Sequence, residues 1–159
     1  MSDVFPDRDM PQAEKIAWVV ETQGWCAEPV PADVEAQQPP YTYTIGFESS
    51  YDHAEVVIIG LQPVAARGLM SMMAEHLAAG GILPVGTFAG LLDNGLPSAL
   101  LPLDLEIHAG AFPGAAEFHG DRPFRMEQFV WPDKNGLLPW NEGYDERLRL
   151  AQPILGEIS

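Results

Sequence analysis

The sequence predicts an α+β fold: a mostly antiparallel or mixed sheet of about five strands, with two main helices packed on one side of it and an irregular C-terminal tail. Short segments with alternating or continuous apolar character recur along the chain and are joined by short, turn-rich links. Two longer segments carry apolar residues at helical spacing instead. The regular strand–helix–strand alternation of a doubly wound sheet is absent.

The N-terminal part of the chain is predicted to hold a loose leader, a helix and a short strand. Residues 1–10 form the leader, and Pro11 then stands where the first turn of a helix tolerates proline. The apolar stripe of this helix comprises Ile16, Val19 and Val20. Gly24 ends the helix, and residues 25–30 are predicted to form a short strand.

Two strands and a long helix follow. Residues 41–47 alternate between two faces, whereas residues 55–61 are apolar on both faces, which is typical of a central, covered strand. The link 48–52 between them is short enough for a hairpin. Residues 63–80 carry the strongest helical pattern. Its predicted buried stripe comprises Ala65, Leu69, Met72, Met73 and Leu77.

The second half of the chain is less regular. A glycine-rich passage precedes predicted strands at 98–106 and 124–131, and Ala115 to His119 is expected to form one helical turn between them. After a turn signal at 133–136, residues 137–159 are predicted to lie across the surface as a turn-rich tail. The whole chain, 1–159, is expected to form a single domain.

The composition limits the classes of partner. Eight basic residues stand against 23 acidic ones, for a net charge of −15. Nucleic acid and anionic membrane surfaces would repel such a chain, so neither is an expected partner. The acidity itself is explained by solubility or, alternatively, by a cationic partner.

The compartment is predicted to be the cytoplasm. Cys26 is the only cysteine, so no intramolecular disulfide can form. The N-terminus has no basic start followed by an apolar core, as a signal peptide would. The longest strongly apolar stretch, 56–61, is far shorter than the roughly 18 residues that span a membrane.

Three motifs resemble the bacterial domain-of-unknown-function 4262 family. They are YTIGF at 43–47, HAE at 53–55 and QFVWPD at 128–133, the last continued by Gly136, Pro139-Trp140, Gly143-Tyr144 and Gln152-Pro153. The likeness extends from about residue 24 to residue 153, although Ala54 stands where that family usually has proline. The resemblance implies a compact bacterial domain and lends no established activity.

His53 and Glu55 form the first candidate site. Residues two apart on a strand point the same way, so an imidazole and a carboxylate would lie side by side where the strand begins. Such a pair could ligate a metal or act as a base with its orienting group. The alternative is that both side chains hold a turn, and the sequence favours this second interpretation.

The remaining histidines give little support to a metal site. His76, His108 and His119 lie far apart in the sequence, and no His-x-x-x-His or Cys-x-x-Cys spacing occurs. A metal site would therefore have to be assembled from distant segments, and no metal or cofactor is predicted. The single cysteine also excludes the zinc deaminases, whose signature needs Pro-Cys-x-x-Cys.

The motif around residue 131 is the second candidate site. Trp131 would end its strand and Asp133 would start a turn, with Trp140 as a large apolar contact that fixes the tail. The functional alternative is an aromatic-walled pocket with Asp133 at its rim. Gln128 is predicted on an apolar strand face, where it would either tie the tail to the sheet or face a ligand.

Two functions remain open at the level of sequence. The favoured one is a non-catalytic domain that binds a small ligand or a protein, with a candidate pocket formed by His53, Glu55, Gln128, Trp131, Asp133 and Trp140. The alternative is a metal-assisted hydrolase that uses His53 and Glu55. A homodimer is a further candidate assembly, because small bacterial domains often form one.

Overall fold

The computed structural model describes residues 11–92 and 95–157, so the predicted leader lies outside the described residues. The described residues form four α-helices and six strands. In chain order these are α1 (Gln12–Gln23), β1 (Cys26–Val30), β2 (Tyr41–Ile45), α2 (Phe47–Tyr51), β3 (Glu55–Ile59), α3 (Pro63–Ala78), β4 (Gly86–Phe88), β5 (Ser98–Pro102), α4 (Pro113–His119) and β6 (Met126–Val130). Short 3₁₀ turns lie at Ala109–Ala111 and Glu146–Arg149.

The strands form one mixed sheet in the order β1-β2-β3-β6-β5-β4. Only the central pair, β3 and β6, is parallel among the pairings of the described strands. The α+β class and the mixed sheet are therefore confirmed, and the expected count of about five strands was low by one. The additional strand is β4, which has three residues and lies in the glycine-rich passage, too short to show a period.

Helices cover both faces of the sheet, so the expectation that they pack on one side was wrong. In β3, Val56 and Ile58 pack against α3, whereas Val57 and Ile59 pack in the cluster that contains residues of α1 and α4. All five residues of β3 are buried, as are those of β6. A continuous apolar run is what such a two-sided burial requires.

The buried stripe of α3 differs from the predicted one. The structure buries Ala66, Met70, Met73 and Ala74, so that only Met73 belongs to both sets. Ala65 is exposed instead, since the whole stripe is rotated around the helix. Apolar residues lie on several sides of this helix, and spacing alone therefore could not choose between neighbouring stripes.

The link between β2 and β3 holds a short helix rather than a simple hairpin turn. The two strands remain antiparallel neighbours, as expected, but α2 occupies most of the connection. Gly46, just before α2, has φ +118°, and a Cβ there would lie 2.6 Å from the Gly24 carbonyl oxygen. This position therefore requires glycine both for its backbone conformation and for close packing.

The C-terminal segment, 137–157, lies against the sheet, in agreement with the predicted tail. Leu138 and Tyr144 are buried, and the Glu157 N–H donates to the Pro102 carbonyl over 2.8 Å. Across residues 11–92 and 95–157, no helix combines the length and the apolar character needed to cross a membrane.

Candidate functional site

The residues predicted to share a pocket lie at opposite ends of the sheet. Glu55 pairs with Met126 in the parallel β3–β6 ladder, so His53 and Glu55 belong to the edge where both strands begin. Trp131 and Asp133 follow the last residue of β6, at the other edge. A strand of five residues separates the two groups by about 17 Å at roughly 3.3 Å per residue. The structure therefore does not bring these side chains into one cavity.

Glu55 is the centre of a buried hydrogen-bond network. Its side chain is fully buried, and its carboxylate accepts hydrogen bonds from the Thr44 hydroxyl (2.7 Å) and the backbone N–H groups of Gly46 (2.9 Å) and Phe47 (3.0 Å). A longer contact of 3.4 Å comes from the Glu48 N–H. A buried charge needs such compensation, and here it fixes the turn between β2 and α2.

His119 completes this network. Its Nε2 lies 2.8 Å from the Glu55 Oε2, and its ring stacks on Phe124 with centroids 4.7 Å apart. Glu55 therefore pairs with His119 and not with His53, the partner that the less favoured of the two sequence interpretations gave it. No local pattern indicated this partner, since 64 positions separate the two residues. The only available signal was general: a carboxylate inside an apolar strand needs a partner.

His53 faces a different carboxylate, that of Glu127. The His53 Nε2 lies 3.7 Å from the Glu127 Oε1, while the Nδ1 lies 2.7 Å from the Ala54 carbonyl oxygen. If Nδ1 carries the proton and donates to that carbonyl, the Nε2 faces a carboxylate with no proton between them. An attraction between the two side chains then needs one more proton, on the ring or on the carboxyl group.

Glu127 is buried and only partly compensated. Its Oε1 has no hydrogen-bond partner among the described residues. Burial raises the pKa of Glu127, although the charges of His53 and Arg125 oppose that rise. Sequence analysis missed this residue because the polar member of an alternating strand normally faces solvent.

Glu48 and Arg125 form a partly exposed ion pair beside this edge. The guanidinium donates to both Glu48 oxygens, the shortest contact being 2.7 Å, and the Arg125 N–H donates to Oε2 over 2.8 Å. Burial alone would raise the pKa of Glu48, but the hydrogen bonds from Arg125 outweigh it and lower that pKa. This pair joins α2 to the residue that precedes β6.

These charged residues do not assemble into a metal centre. Within residues 11–92 and 95–157, no three His, Cys, Asp or Glu side chains converge so that they could hold a metal ion. The oxygens of Glu55 already accept hydrogen bonds from the protein. The arrangement at this edge therefore stabilises the fold and leaves no open carboxylate at Glu55 for a substrate.

Gln128 ties the C-terminal segment to the centre of the sheet. Its side chain is fully buried; the amide N–H donates to the Pro153 carbonyl (2.9 Å), and the amide oxygen accepts from the N–H groups of Leu155 (2.8 Å) and Gly156 (3.1 Å). Of the two roles that the sequence left open, the structure supports the tie between tail and sheet. Gln152 makes the matching contact, since its amide bonds the backbone N–H and carbonyl of Trp131.

The residues after β6 also serve the fold. Asp133 is 3% exposed and accepts hydrogen bonds from the backbone N–H groups of Asn135, Leu137 and Asp145. Burial would raise the pKa of Asp133, but these hydrogen bonds lower it. The Trp131 indole donates to the Ile59 carbonyl over 2.8 Å.

Trp140 packs beside a small apolar cluster under the C-terminal segment, as the turn interpretation predicted. The members of that cluster are Ala99, Leu101, Val130 and Leu138.

Cys26 has the properties of an inert thiol. Burial, with the nearby carboxylates of Glu28 and Glu55, raises its pKa to about 12. The thiolate is the reactive form of cysteine, and at neutral pH almost none of it is present.

An open apolar cavity of about 240 Å³ lies between the sheet and the C-terminal segment. We call it the tail cavity. Its lining residues are Gln38, Pro39, Tyr41, Val57, Ile59, His108, Ala111, Phe112, Pro153 and Leu155. None of the six residues predicted to form a pocket lines the tail cavity. The prediction missed this cavity because a single sequence does not show that residues 38–41, 108–112 and 153–155 meet over β3.

The fold and these sites define an α+β domain in which the buried side chains of Glu55, Gln128 and Asp133 are hydrogen-bonded within the protein and the C-terminal segment covers part of an apolar cavity. The chain belongs to the family described as a domain of unknown function (DUF4262), whose model matches residues 19–145. This match confirms the resemblance found in the motifs. No curated protein and no solved structure matches the chain.

Proposed function

We propose that this protein is a non-catalytic binding domain that holds a small, mainly apolar ligand in the tail cavity. The proposal rests on a difference between two parts of the structure. The tail cavity is open and apolar, whereas the side chains of Glu55, Gln128 and Asp133 are already hydrogen-bonded within the protein. Ligand sites in proteins are concave and mostly apolar, with few polar groups that fix the orientation of the ligand. The tail cavity has this character.

The cavity is built by rigid and by less regular parts of the fold. Its floor is formed by Tyr41 of β2 and by Val57 and Ile59 of β3, at the centre of the sheet. Phe112 and Leu155 form walls from the segment before α4 and from the C-terminal segment. The apolar surface of the sheet therefore lies opposite walls that come from two other segments of the chain.

A few polar groups lie among the apolar ones. Gln38 and His108 belong to the lining, and the Tyr41 hydroxyl donates to the Ala111 carbonyl over 2.7 Å. Burial raises the pKa of Tyr41, so its hydroxyl stays protonated at neutral pH. These groups would orient a ligand that carries one or two hydrogen-bonding atoms on an apolar body.

The size of the cavity restricts the ligand. Sites for drug-sized molecules measure about 300–1,000 Å³, and a cavity of about 150 Å³ is enough for benzene. At about 240 Å³, the tail cavity fits a molecule with one or two rings, or a short aliphatic chain.

The hydrolase that the sequence left as an alternative gains little from the geometry. Glu55 is fully buried and bonded to His119, so it has no free position for a substrate or a water molecule. The His53 Nε2 and the Glu127 Oε1 lie 3.7 Å apart, but neither residue lines the tail cavity.

We further propose that the protein works in the bacterial cytoplasm. The motifs that resemble a bacterial family and the presence of a single cysteine support this.

The proposal is tested with a set of small aromatic fragments, including indole, p-cresol and naphthol, by thermal unfolding of the full chain. A ligand that binds only the folded state stabilises it by about 2.7 kcal/mol at 100 times its dissociation constant. We expect at least one fragment to raise the melting temperature in a concentration-dependent manner.

A matched pair of variants assigns the effect to the cavity. Ala111→Leu places three more carbon atoms in the cavity and should abolish the shift. Ala78→Leu, at the exposed end of α3, adds the same atoms elsewhere and should leave the shift unchanged. A shift that persists in Ala111→Leu, or no shift with any fragment, would contradict the proposal.

A further inference from the structure

A different cavity, of about 200 Å³, lies on the opposite face of the sheet, where α3 begins. Its lining residues are Ala27, Pro29, Thr42, Pro63, Val64 and Arg67. Thr42 pairs with Pro29 across β1 and β2, so the side chains of both residues point to the same face. Tyr41 and Tyr43 belong to the other face, which also holds the tail cavity. The two cavities are therefore separated by the sheet.

Thr42 brings an unused polar group to this cavity. The residue is 1% exposed, and its Oγ1 has no hydrogen-bond partner within the described part of the chain. The neighbouring Thr44, by contrast, bonds the Glu55 carboxylate and the Val56 N–H. A buried hydroxyl without a partner costs about 1–3 kcal/mol of folding free energy, so an unpaired one indicates a place where a ligand atom can bind.

The first turn of α3 provides further donors. Its N-cap is Gln62, which makes no side-chain capping hydrogen bond, and its first residue is Pro63, which has no N–H. The first intrahelical acceptor, the Gln62 carbonyl, is bonded by Ala66. The N–H groups of Val64 and Ala65 are therefore open to an acceptor, and the helix dipole favours a negative charge there.

Arg67 adds a formal positive charge one turn further along. Its guanidinium takes part in none of the ion pairs found among the described residues. Arg125, Arg147 and Arg149 are each paired with a carboxylate, and Arg122 donates to backbone carbonyls. Arg67 has neither kind of partner among the described residues, in a chain with a net charge of −15.

We propose that this cavity binds a small organic carboxylate. The carboxylate group would accept hydrogen bonds from Arg67, from the Thr42 hydroxyl and from the free N–H groups at the start of α3. Its apolar part would lie against Ala27, Pro29 and Val64, which form the rest of the lining. Thr42, Val64 and Arg67, whose donors have no partner among the described residues, thus all line one small apolar cleft.

Benzoate is a suitable test ligand, with benzamide as a neutral molecule of almost the same shape. Both are titrated into the ¹⁵N-labelled full chain and followed by amide chemical shifts. We expect benzoate to move the amide signals of Thr42, Val64 and Ala65 in a saturable manner. Benzamide should leave these signals in place, because it offers no charge to Arg67.

Variants then test the residues. Arg67→Gln should weaken benzoate binding at least tenfold, and Thr42→Val should weaken it severalfold, whereas Thr42→Ser keeps the hydroxyl and should bind nearly normally. Arg149→Gln removes an exposed arginine that is paired with Glu146 and should change nothing. Equal affinity for benzamide, unchanged binding by Arg67→Gln, or no movement of the Val64 and Ala65 signals would overturn the proposal. Fragment binding in the tail cavity should be unaffected by these variants, because the two cavities share no lining residue, so the two sites are tested independently.

Discussion

Replacement of Glu55 by glutamine gives the most informative test of the buried network. The variant keeps the size of the side chain but removes the charge and turns one acceptor into a donor. In place of Oε1, that donor would face the Thr44 hydroxyl and the Phe47 N–H. In place of Oε2, it would face the Gly46 N–H and the His119 Nε2. Both the turn before α2 and the contact with α4 should therefore weaken.

The size of the effect follows from these contacts. Each buried donor left unpaired costs about 1–3 kcal/mol, but water and local relaxation recover part of this. Loss of one member of a buried charged pair costs about 3–5 kcal/mol in proteins. We expect the same range for Glu55→Gln. Since a domain is stable by only about 5–15 kcal/mol, this is a large fraction of its free energy of unfolding.

The assay is urea unfolding at pH 7, followed by circular dichroism. Glu75→Gln is the matched control, because Glu75 lies on the exposed face of α3 and should change stability by no more than about 0.5 kcal/mol. A Glu55→Gln variant as stable as the wild type, or more stable, would refute the reasoning. That result would instead be typical of a catalytic carboxylate, which is often held at a cost in stability.

Three further predictions concern the sheet edges and the tail. Gln128→Met removes three hydrogen bonds to the C-terminal segment while keeping a similar side-chain volume. It should lower the free energy of unfolding by about 1–3 kcal/mol and expose the C-terminal segment to limited proteolysis. A segment that stays uncut would contradict the role of Gln128 in holding it to the sheet. Glu127→Gln should raise the melting temperature at pH 7 and lose this advantage in acid. The pKa of Glu127 is raised in the folded state, so this carboxyl group stabilises the fold below its unfolded-state pKa and loses that contribution as the pH rises through its folded-state pKa. An equal gain at all pH values would mean that the charge is irrelevant. Arg125→Gln should shift acid unfolding to higher pH. The lowered pKa of Glu48 stabilises the fold above the unfolded-state pKa of that residue, and this contribution is lost as the pH falls through its folded-state pKa. An unchanged midpoint of acid unfolding would show that the Glu48–Arg125 pair does not contribute to stability.

The main elements of the fold could be predicted from the sequence because their patterns are local. The apolar run of β3 and the alternation in β2 are visible in single stretches of the chain, as is the long apolar helix α3. Strand β4 was missed because three residues, beginning with a glycine, carry no period.

The helix α2 was missed for a different reason. Its five residues begin after Gly46 in a left-handed conformation, and no capping side chain marks its start. Its N-terminal N–H groups are bonded instead by Glu55, a residue of the following strand. A helix stabilised by a tertiary contact gives no local signal.

The candidate site was predictable only in part. The sequence predicted that Gln128 is a buried amide that needs partners and favoured Glu55 and Asp133 as residues that hold turns, and the structure shows hydrogen-bond partners for each. It could not identify His119 as the partner of Glu55 or place Phe112 and Leu155 over β3, since both depend on pairings between distant segments. Cavities arise from such pairings, and a single sequence does not contain them.

Intermolecular nuclear Overhauser effects with the tightest-binding apolar fragment test the central claim most directly. If the sheet-edge polar groups serve the fold and the tail cavity holds the ligand, the fragment should show contacts to methyl groups of Val57, Ile59 and Leu155. Contacts to the rings of His53 or His119 instead would contradict the account, because the ligand would then lie at the charged edge that we assign to stability.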